Sequence, residues 1–302
     1  MSNFKKKLKK TLTQSAVSIP FELATNVVME VEYQFYRSLW YLRGYRLPSA
    51  EERRAVAENC TFFYKSFQRQ RLAKRLCRNI RRYYPDVKIV IADDSRKPLI
   101  INDSKVEVVQ LPFNQGLSYG LNRALERITT PFAIRMDDDE LLTPLTNIGR
   151  QLALLQTHPE VDLASILYFN APQCRNMRYE IKHYLAQPMN MAPLPLKIPH
   201  ATRIDDKHVV LGKASNCFVC HTDKLKAIGY DDNIRMIDHN EFFFRAAGHI
   251  VSVVDEEAFV FHRHNIFNHK YNKYRLDFER DRAYIRWKHT VKAARTDEKK
   301  LK

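Results

Sequence analysis

The sequence predicts a layered α/β fold with a mostly parallel central sheet and flanking helices. Three observations lead there. Strand-length apolar runs alternate with segments whose apolar residues recur at helical spacing. Those runs are nearly continuously apolar, as expected where helices cover both faces of a sheet. Two of them end in grouped carboxylates, Asp93-Asp94 and Asp137-Asp138-Asp139, at the strand ends where ligands sit in open α/β sheets.

The first strand is CTFFYKSF, Cys60 to Phe67. A helix follows, with Leu72, Leu76 and Ile80 on its inner face and a basic outer face; Pro85 stops it. VKIVIADDS and KVEVVQLPF supply the second and third strands. NQGLSYGLNRALERI supplies a helix that turns Leu117, Leu121, Ala124, Leu125 and Ile128 inward. PFAIRM is the fourth strand, and a helix is expected after Pro144 in LTNIGRQLALLQ. VDLASILYF is a further strand. Residues 170–208, broken by Pro172, Pro188, Pro193, Pro195 and Pro199, read as a loop excursion rather than another sheet unit. The sheet resumes in HVVLGKASNCFVCHTDKL and HIVSVVDEEAFVFHRH.

Before this unit lies a basic, aromatic-rich leader. Its Val27, Val31, Phe35, Leu39 and Leu42 stand near helical spacing and need a partner surface. The chain's own core is the first expectation, and a membrane interface, suited to an amphipathic segment beside lysines and aromatics, is the second. After Asn268 comes a basic tail of helical character.

With 302 residues, 45% of them hydrophobic, the chain can bury one sizeable core. No apolar run is long enough to span a bilayer, and the start, MSNFKKKLKK, does not read as a secretory signal. The formal net charge of +16, with clusters at Lys5–Lys10 and in the tail, admits polyanionic partners without selecting one. Five cysteines in irregular spacing suggest reduced thiols in a cytoplasmic protein. Cys217 and Cys220 form a CxxC with no second pair to complete a zinc site and no evident following helix, so packing is the expected role.

Adjacent carboxylates are costly unless a cation or a proton relieves them. Mn²⁺ and Mg²⁺ take oxygen ligands, often one or two carboxylates plus substrate phosphates. The DDD run therefore fits a divalent ion that also holds a diphosphate; a solvated acidic turn is the other reading. If the strand continued, Asp137 and Asp139 would point one way and Asp138 the other. Asp93 and Asp94 could accept from a ribose or base, or cap a loop. Neither GxxxxGK[ST] nor GxGxxG occurs, which weakens ATPase and dinucleotide readings.

FFYKSFQRQRLAKRLCRNIRRYYP, VIADDS, LPFNQGLSYGLNRAL, TTPFAIRMDDDELL, NCFVCHTDKLKAIGYDD and IDHNEFFFR, in that order over about residues 60–265, resemble the inverting GT-A glycosyltransferases. The likeness is strongest to family 2 and to the catalytic domain of β-1,4-N-acetylgalactosaminyltransferases. It implies a GT-A domain at 56–268, between a segment 1–55 and a tail 269–302. It implies that Asp93, Asp94, Asn114, Gly116 and Asp138 serve the donor, and that Asp137, Asp139 and His262 (His264 as substitute) hold Mn²⁺ or Mg²⁺. The general base would be Glu241 or Asp238. DHNE departs from the Glu-Asp pair of many family 2 enzymes and lies nearer the His-x-Glu of the acetylgalactosaminyltransferases, so both stay open.

The implied reaction is a single displacement from a nucleoside-diphosphate sugar, with UDP and an N-acetylhexosamine favoured. The acceptor would be a hydroxyl of a glycan or glycolipid in surface polysaccharide, capsule or lipopolysaccharide synthesis. The implied place is the cytoplasm, at the periphery of the inner membrane's cytoplasmic face. A nucleotidyltransferase would want a glycine- and lysine-rich phosphate loop, which is not evident after Phe67. A nucleic-acid-binding protein would meet repulsion at the acidic strand ends, so no nucleic acid is expected.

Overall fold

The computed structural model describes residue 13 and residues 15–172, 177–186, 192–274 and 278–300. The Lys5–Lys10 cluster, Cys174 and Pro188 fall outside them. The chain enters through α1 (Ile19–Leu42) and α2 (Ala50–Asn59), the latter capped by Ser49, whose Oγ accepts from Glu52 N at 3.1 Å. Then come β1 (Cys60–Ser66), α3 (Gln70–Tyr83), β2 (Lys88–Asp93), β3 (Val106–Gln110), α4 (Leu117–Glu126), β4 (Phe132–Arg135) and a two-residue β5 (Glu140–Leu141). The second half has α5 (Ile148–Thr157), β6 (Leu163–Ala171), α6 (Met177–Leu185), β7 (His208–Val210), β8 (Phe218–His221), α7 (Thr222–Ile228), α8 (Asp238–Ala246) and β9 (Ser252–Arg263). A short α9 (His269–Asn272) and the long α10 (Phe278–Lys300) close it.

The strands form one sheet in the order β3-β2-β1-β4-β8-β6-β9-β5, with β7 also on β9. β3, β2, β1 and β4 run parallel. Beyond β4 the sheet is mixed, because β8 is antiparallel to both its neighbours while β6 and β9 are parallel to each other. The chain moves outward from β1 to β2 and β3, then returns to place β4 on β1's other side. This reversal opens a crevice at the carboxyl ends of β1, β2 and β4.

Side-chain alternation builds the layers. Phe62 and Tyr64 of β1, Ile89 and Ile91 of β2, and Ile134 of β4 face one side, against Leu76 and Ile80 of α3. Phe63, Val90 and Ala133 face the other, against Leu121 and Leu125 of α4 and Phe242 of α8. Near-continuous apolar strands are the consequence.

Three expectations change. The face of α1 that meets the core carries Met29, Tyr33 and Trp40, packed on Leu141, Phe169 and Phe261. Val27, Val31, Phe35 and Leu42, the stripe expected to seek the core, are exposed. The helix is apolar on both sides, so spacing alone could not say which side turns inward. The proline-broken excursion contains α6, and a helix, α7, does follow the CxxC segment. Cys217 and Cys220 are buried free thiols whose ionisation burial pushes well up, in keeping with a packing role.

Candidate functional site

The acidic run is a turn, and this corrects the alternation argument. β4 ends at Arg135, and Glu140 N donates to Asp137 O at 3.1 Å while Asp137 N donates to Glu140 Oε2 at 3.0 Å. Asp138 and Asp139 consequently share a partner instead of pointing apart. Both pair with the Arg69 guanidinium, Asp139 Oδ2 at 2.9 Å from Nη1. Arg69 also lies over the Tyr271 ring, 4.1 Å from its centroid. Asp137 turns the other way, its Oδ1 3.2 Å from Nη2 of the buried Arg135.

Sheet register brings in a histidine from far along the chain. His262 of β9 is paired with Glu140 of β5 on one side and with Asn170 of β6 on the other. Its Nδ1 lies 2.6 Å from Asn170 Oδ1, a hydrogen bond that orients the ring. Nε2 lies 3.9 Å from Asp139 Oδ1. A ring held through one nitrogen by an oxygen while the other faces the site is how a metal-binding histidine is commonly oriented. Among the described residues no group of three or more His, Cys, Asp or Glu converges for a metal. The pair Asp139–His262 fits an ion that completes its shell with water and substrate oxygens, the habit of Mg²⁺ and Mn²⁺. His264, with its ring centroid 5.7 Å from that of His262, lies at the same rim.

Negative charge exceeds what the two arginines offset. Burial, opposed by Arg69 and reinforced by Asp139 and Asp137, pushes Asp138 up to about 7. Burial and Asp137 hold the Glu140 carboxyl well above its ordinary range. A cation beside Asp139 would relieve both.

These groups line a cleft of about 270 Å³. Lys65, Asn114, Gly116, Arg235, Phe67 and Tyr274 line it as well. Asn114 is left-handed at φ +58° and Gly116 lies at φ +111°. A Cβ on Gly116 would come within 3.1 Å of Arg235 Cα, so only glycine lets the backbones pass this closely. Asp94 sits beneath, its Oδ1 2.6 Å from Lys65 Nζ and its Oδ2 accepting from Gly116 N at 3.2 Å. Asp93 is engaged by its own loop, accepting from Ser95 Oγ at 2.6 Å and Leu99 N at 2.8 Å. Neither is among the lining residues, whereas Lys65 is.

The two candidate bases separate. Asp238, first residue of α8, is buried with Oδ2 3.3 Å from the same Arg135 Nη2 that holds Asp137. Burial pushes it up to about 6, with Arg135 opposing and Asp137 adding. Glu241 is also buried, but its Oε1 is taken by Arg245 at 2.8 Å and by Lys288 of α10 at 2.6 Å.

Residues 60–210 match the profile described as Glycosyl transferase family 2. The chain belongs to glycosyl transferase family 2. It is 29% identical over 200 residues to beta-1,4 N-acetylgalactosaminyltransferase 2 of Mus musculus, covering 66% of this chain and 38% of that protein. It is 31% identical over 201 residues to beta-1,4 N-acetylgalactosaminyltransferase 1 of the same organism, covering 62% and 36%. The match thus spans under two fifths of each relative's length. Among solved structures, S. aureus TarS 1–349 in complex with UDP-GlcNAc superposes with a TM-score of 0.50 at 14% identity, over 67% of this chain and 58% of that one. That likeness concerns the fold, which is the GT-A architecture expected from the sequence.

Sequence reading of this family 2 chain missed Arg69, Arg135 and Arg235. Arg135 did carry a signal, since an arginine inside an apolar strand must find buried partners. Arg69 and Arg235 gave none, being two of many basic residues until the fold places them.

Proposed function

We propose that this family 2 chain moves a sugar from a nucleoside-diphosphate donor to a hydroxyl of a glycan or glycolipid acceptor, with inversion at the anomeric carbon. An N-acetylhexosamine on UDP is the donor class we favour, in line with the names of the mouse relatives. The acceptor belongs to surface polysaccharide or glycolipid assembly.

One observation carries the reading: Asp139 Oδ1 and His262 Nε2, its ring oriented by Asn170, lie 3.9 Å apart in a cleft also lined by Lys65 and Arg235. Asp139 and His262 would hold Mn²⁺ or Mg²⁺, which when bound supplies Lewis-acid charge at the donor diphosphate. Lys65 and Arg235, in the same cleft, offset the phosphate charge. Gly116 lets the donor approach the backbone at the start of α4, and Phe67 and Tyr274 border the same cleft.

Asp238 is the base in this reading. As the acceptor oxygen bonds to the anomeric carbon and the carbon–diphosphate bond breaks, the hydroxyl proton passes to Asp238 Oδ. Near pH 7.5 a carboxylate pushed up to about 6 is ionised, yet more basic than an ordinary aspartate. Arg135 orients it and ties it to the acidic turn. Glu241, committed to Arg245 and Lys288, instead anchors α10 to α8.

The test is donor binding by calorimetry with and without Mn²⁺ or Mg²⁺, followed by product mass from a panel of nucleotide sugars. Metal-dependent binding of a nucleoside diphosphate that D139N and H262A both lose is expected. Equal binding by wild type and both variants without metal would overturn the metal assignment.

A further inference from the structure

We infer that the outer face of α1, together with residues 265–273, docks on an anionic lipid surface. At 100° per residue, the outward side of this 24-residue helix offers an arc of about 160° without one charged residue. It contains Leu23, Val27, Val28, Val31, Phe35 and Leu42, all exposed; Val27 and Val31 are each 63% exposed and Leu42 is 86%. The helix is about 36 Å long at 1.5 Å per residue. An uncovered apolar face of that extent marks an interaction surface.

The opposite face is already used. Met29, Tyr33 and Trp40 are buried against the sheet, and Glu30 is paired with Arg75 at 2.5 Å and Arg263 at 3.2 Å. No helix among the described residues is long and apolar enough to cross a membrane. The face therefore suits lying on a bilayer, with its apolar side chains at the headgroup–acyl boundary.

Charge identifies the surface as anionic. The segment after β9 is tied to the start of α1: Phe267 stacks on Phe21 with centroids 5.6 Å apart, and Asn265 Nδ2 donates to Glu22 O at 3.1 Å. That segment carries exposed Ile266 beside exposed Lys270 and Lys273. In sequence, five lysines between Lys5 and Lys10 precede the helix. Lys270 and Lys273, exposed in the segment tied to the start of this helix, match phosphate-bearing headgroups. A second copy of this chain would cover a narrower stripe, since a two-helix seam uses mainly two positions in seven.

The same segment reaches the cleft, where His264, Tyr271 and Tyr274 line the wall. Docking through Ile266, Lys270 and Lys273 brings the cleft rim to the lipid surface, within reach of an acceptor carried there.

The experiment is flotation of the full-length chain with phosphatidylcholine vesicles and with phosphatidylcholine–phosphatidylglycerol vesicles, beside light scattering of the free protein. Wild type is expected to float with the anionic vesicles and to be released by raised salt. V27E/V31E should lose on the order of tenfold in partition, and K270S/K273S should lose only the preference for anionic vesicles. All four positions are exposed, and unchanged thermal melting shows that the variants fold. No flotation of wild type with anionic vesicles, or equal flotation of V27E/V31E, overturns the proposal. So does a wild-type dimer that V27E/V31E dissolves, which would assign the face to a second copy. The assay uses no sugar donor, so its outcome is independent of the proposed transferase reaction.

Discussion

Removing the carboxylate of Asp238 separates base chemistry from donor binding and from folding. A positioned general base contributes about 10²- to 10⁴-fold, or roughly 3–5.5 kcal/mol of transition-state stabilisation. D238N should therefore lower kcat by about 10²-fold or more and leave donor affinity within about threefold. The wild-type rate should follow ionisation of this group. With its pKa at about 6, about 97% is ionised at pH 7.5 and about 10% at pH 5. The acidic limb of kcat should disappear in D238N. Folding gives an independent readout. The folded pKa is raised above the ordinary 3.8, so the ionised form is disfavoured in the native state. Asp238's contribution is most favourable below pH 3.8 and is lost as pH rises from there through about 6, a difference of about 3 kcal/mol. Asn carries no such penalty, and Arg135 keeps Asp137 and Asn216 O as partners. D238N should thus be no less stable than wild type at pH 7. Urea titrations at pH 4, 5.5 and 7, beside product release at saturating donor, measure both quantities. Normal turnover in D238N, or a 10²-fold loss in E241Q with unchanged melting, would refute this assignment.

Other substitutions probe the cleft. D139N and H262A should each weaken donor binding in Mn²⁺ by at least about tenfold while changing metal-free binding little, and N170A should do so more mildly by freeing the imidazole ring; calorimetry measures all three. R69M leaves Asp138 buried without its cation, at a cost of about 3 kcal/mol; the group already titrates near 7 and can take up a proton, which keeps the loss at the low end for a broken buried pair. Denaturant unfolding reads that loss. G116A meets both φ +111° and the Arg235 backbone, so a loss of about 1–3 kcal/mol in stability, donor affinity or both is expected by unfolding and nucleotide titration.

Some of this was legible in the chain. Near-continuous apolar strands such as KIVIAD report burial on both faces, because each residue's hydrophobicity records which face it turns to the core. The grouped aspartates at the ends of β2 and β4 located the crevice, since carboxyl ends of parallel strands carry ligands. The amphipathic pattern of α3, with Leu76 and Ile80 inward and arginines outward, fixed both its existence and its orientation. For α1 the same reasoning failed, since residues on both its faces are apolar.

The order and spacing of local patterns by themselves determined the strands and most helices, because hydrophobic periodicity and turn chemistry act over a few residues. Tertiary structure alone decided which polar groups meet. Residues 170 and 262 become neighbours through β6–β9 register, which orients the imidazole that faces Asp139. Arg135 joins Asp137 to Asp238 across 103 positions of chain, and α10 draws Glu241 away to Lys288. Such pairings depend on long-range packing, and no local pattern encodes them.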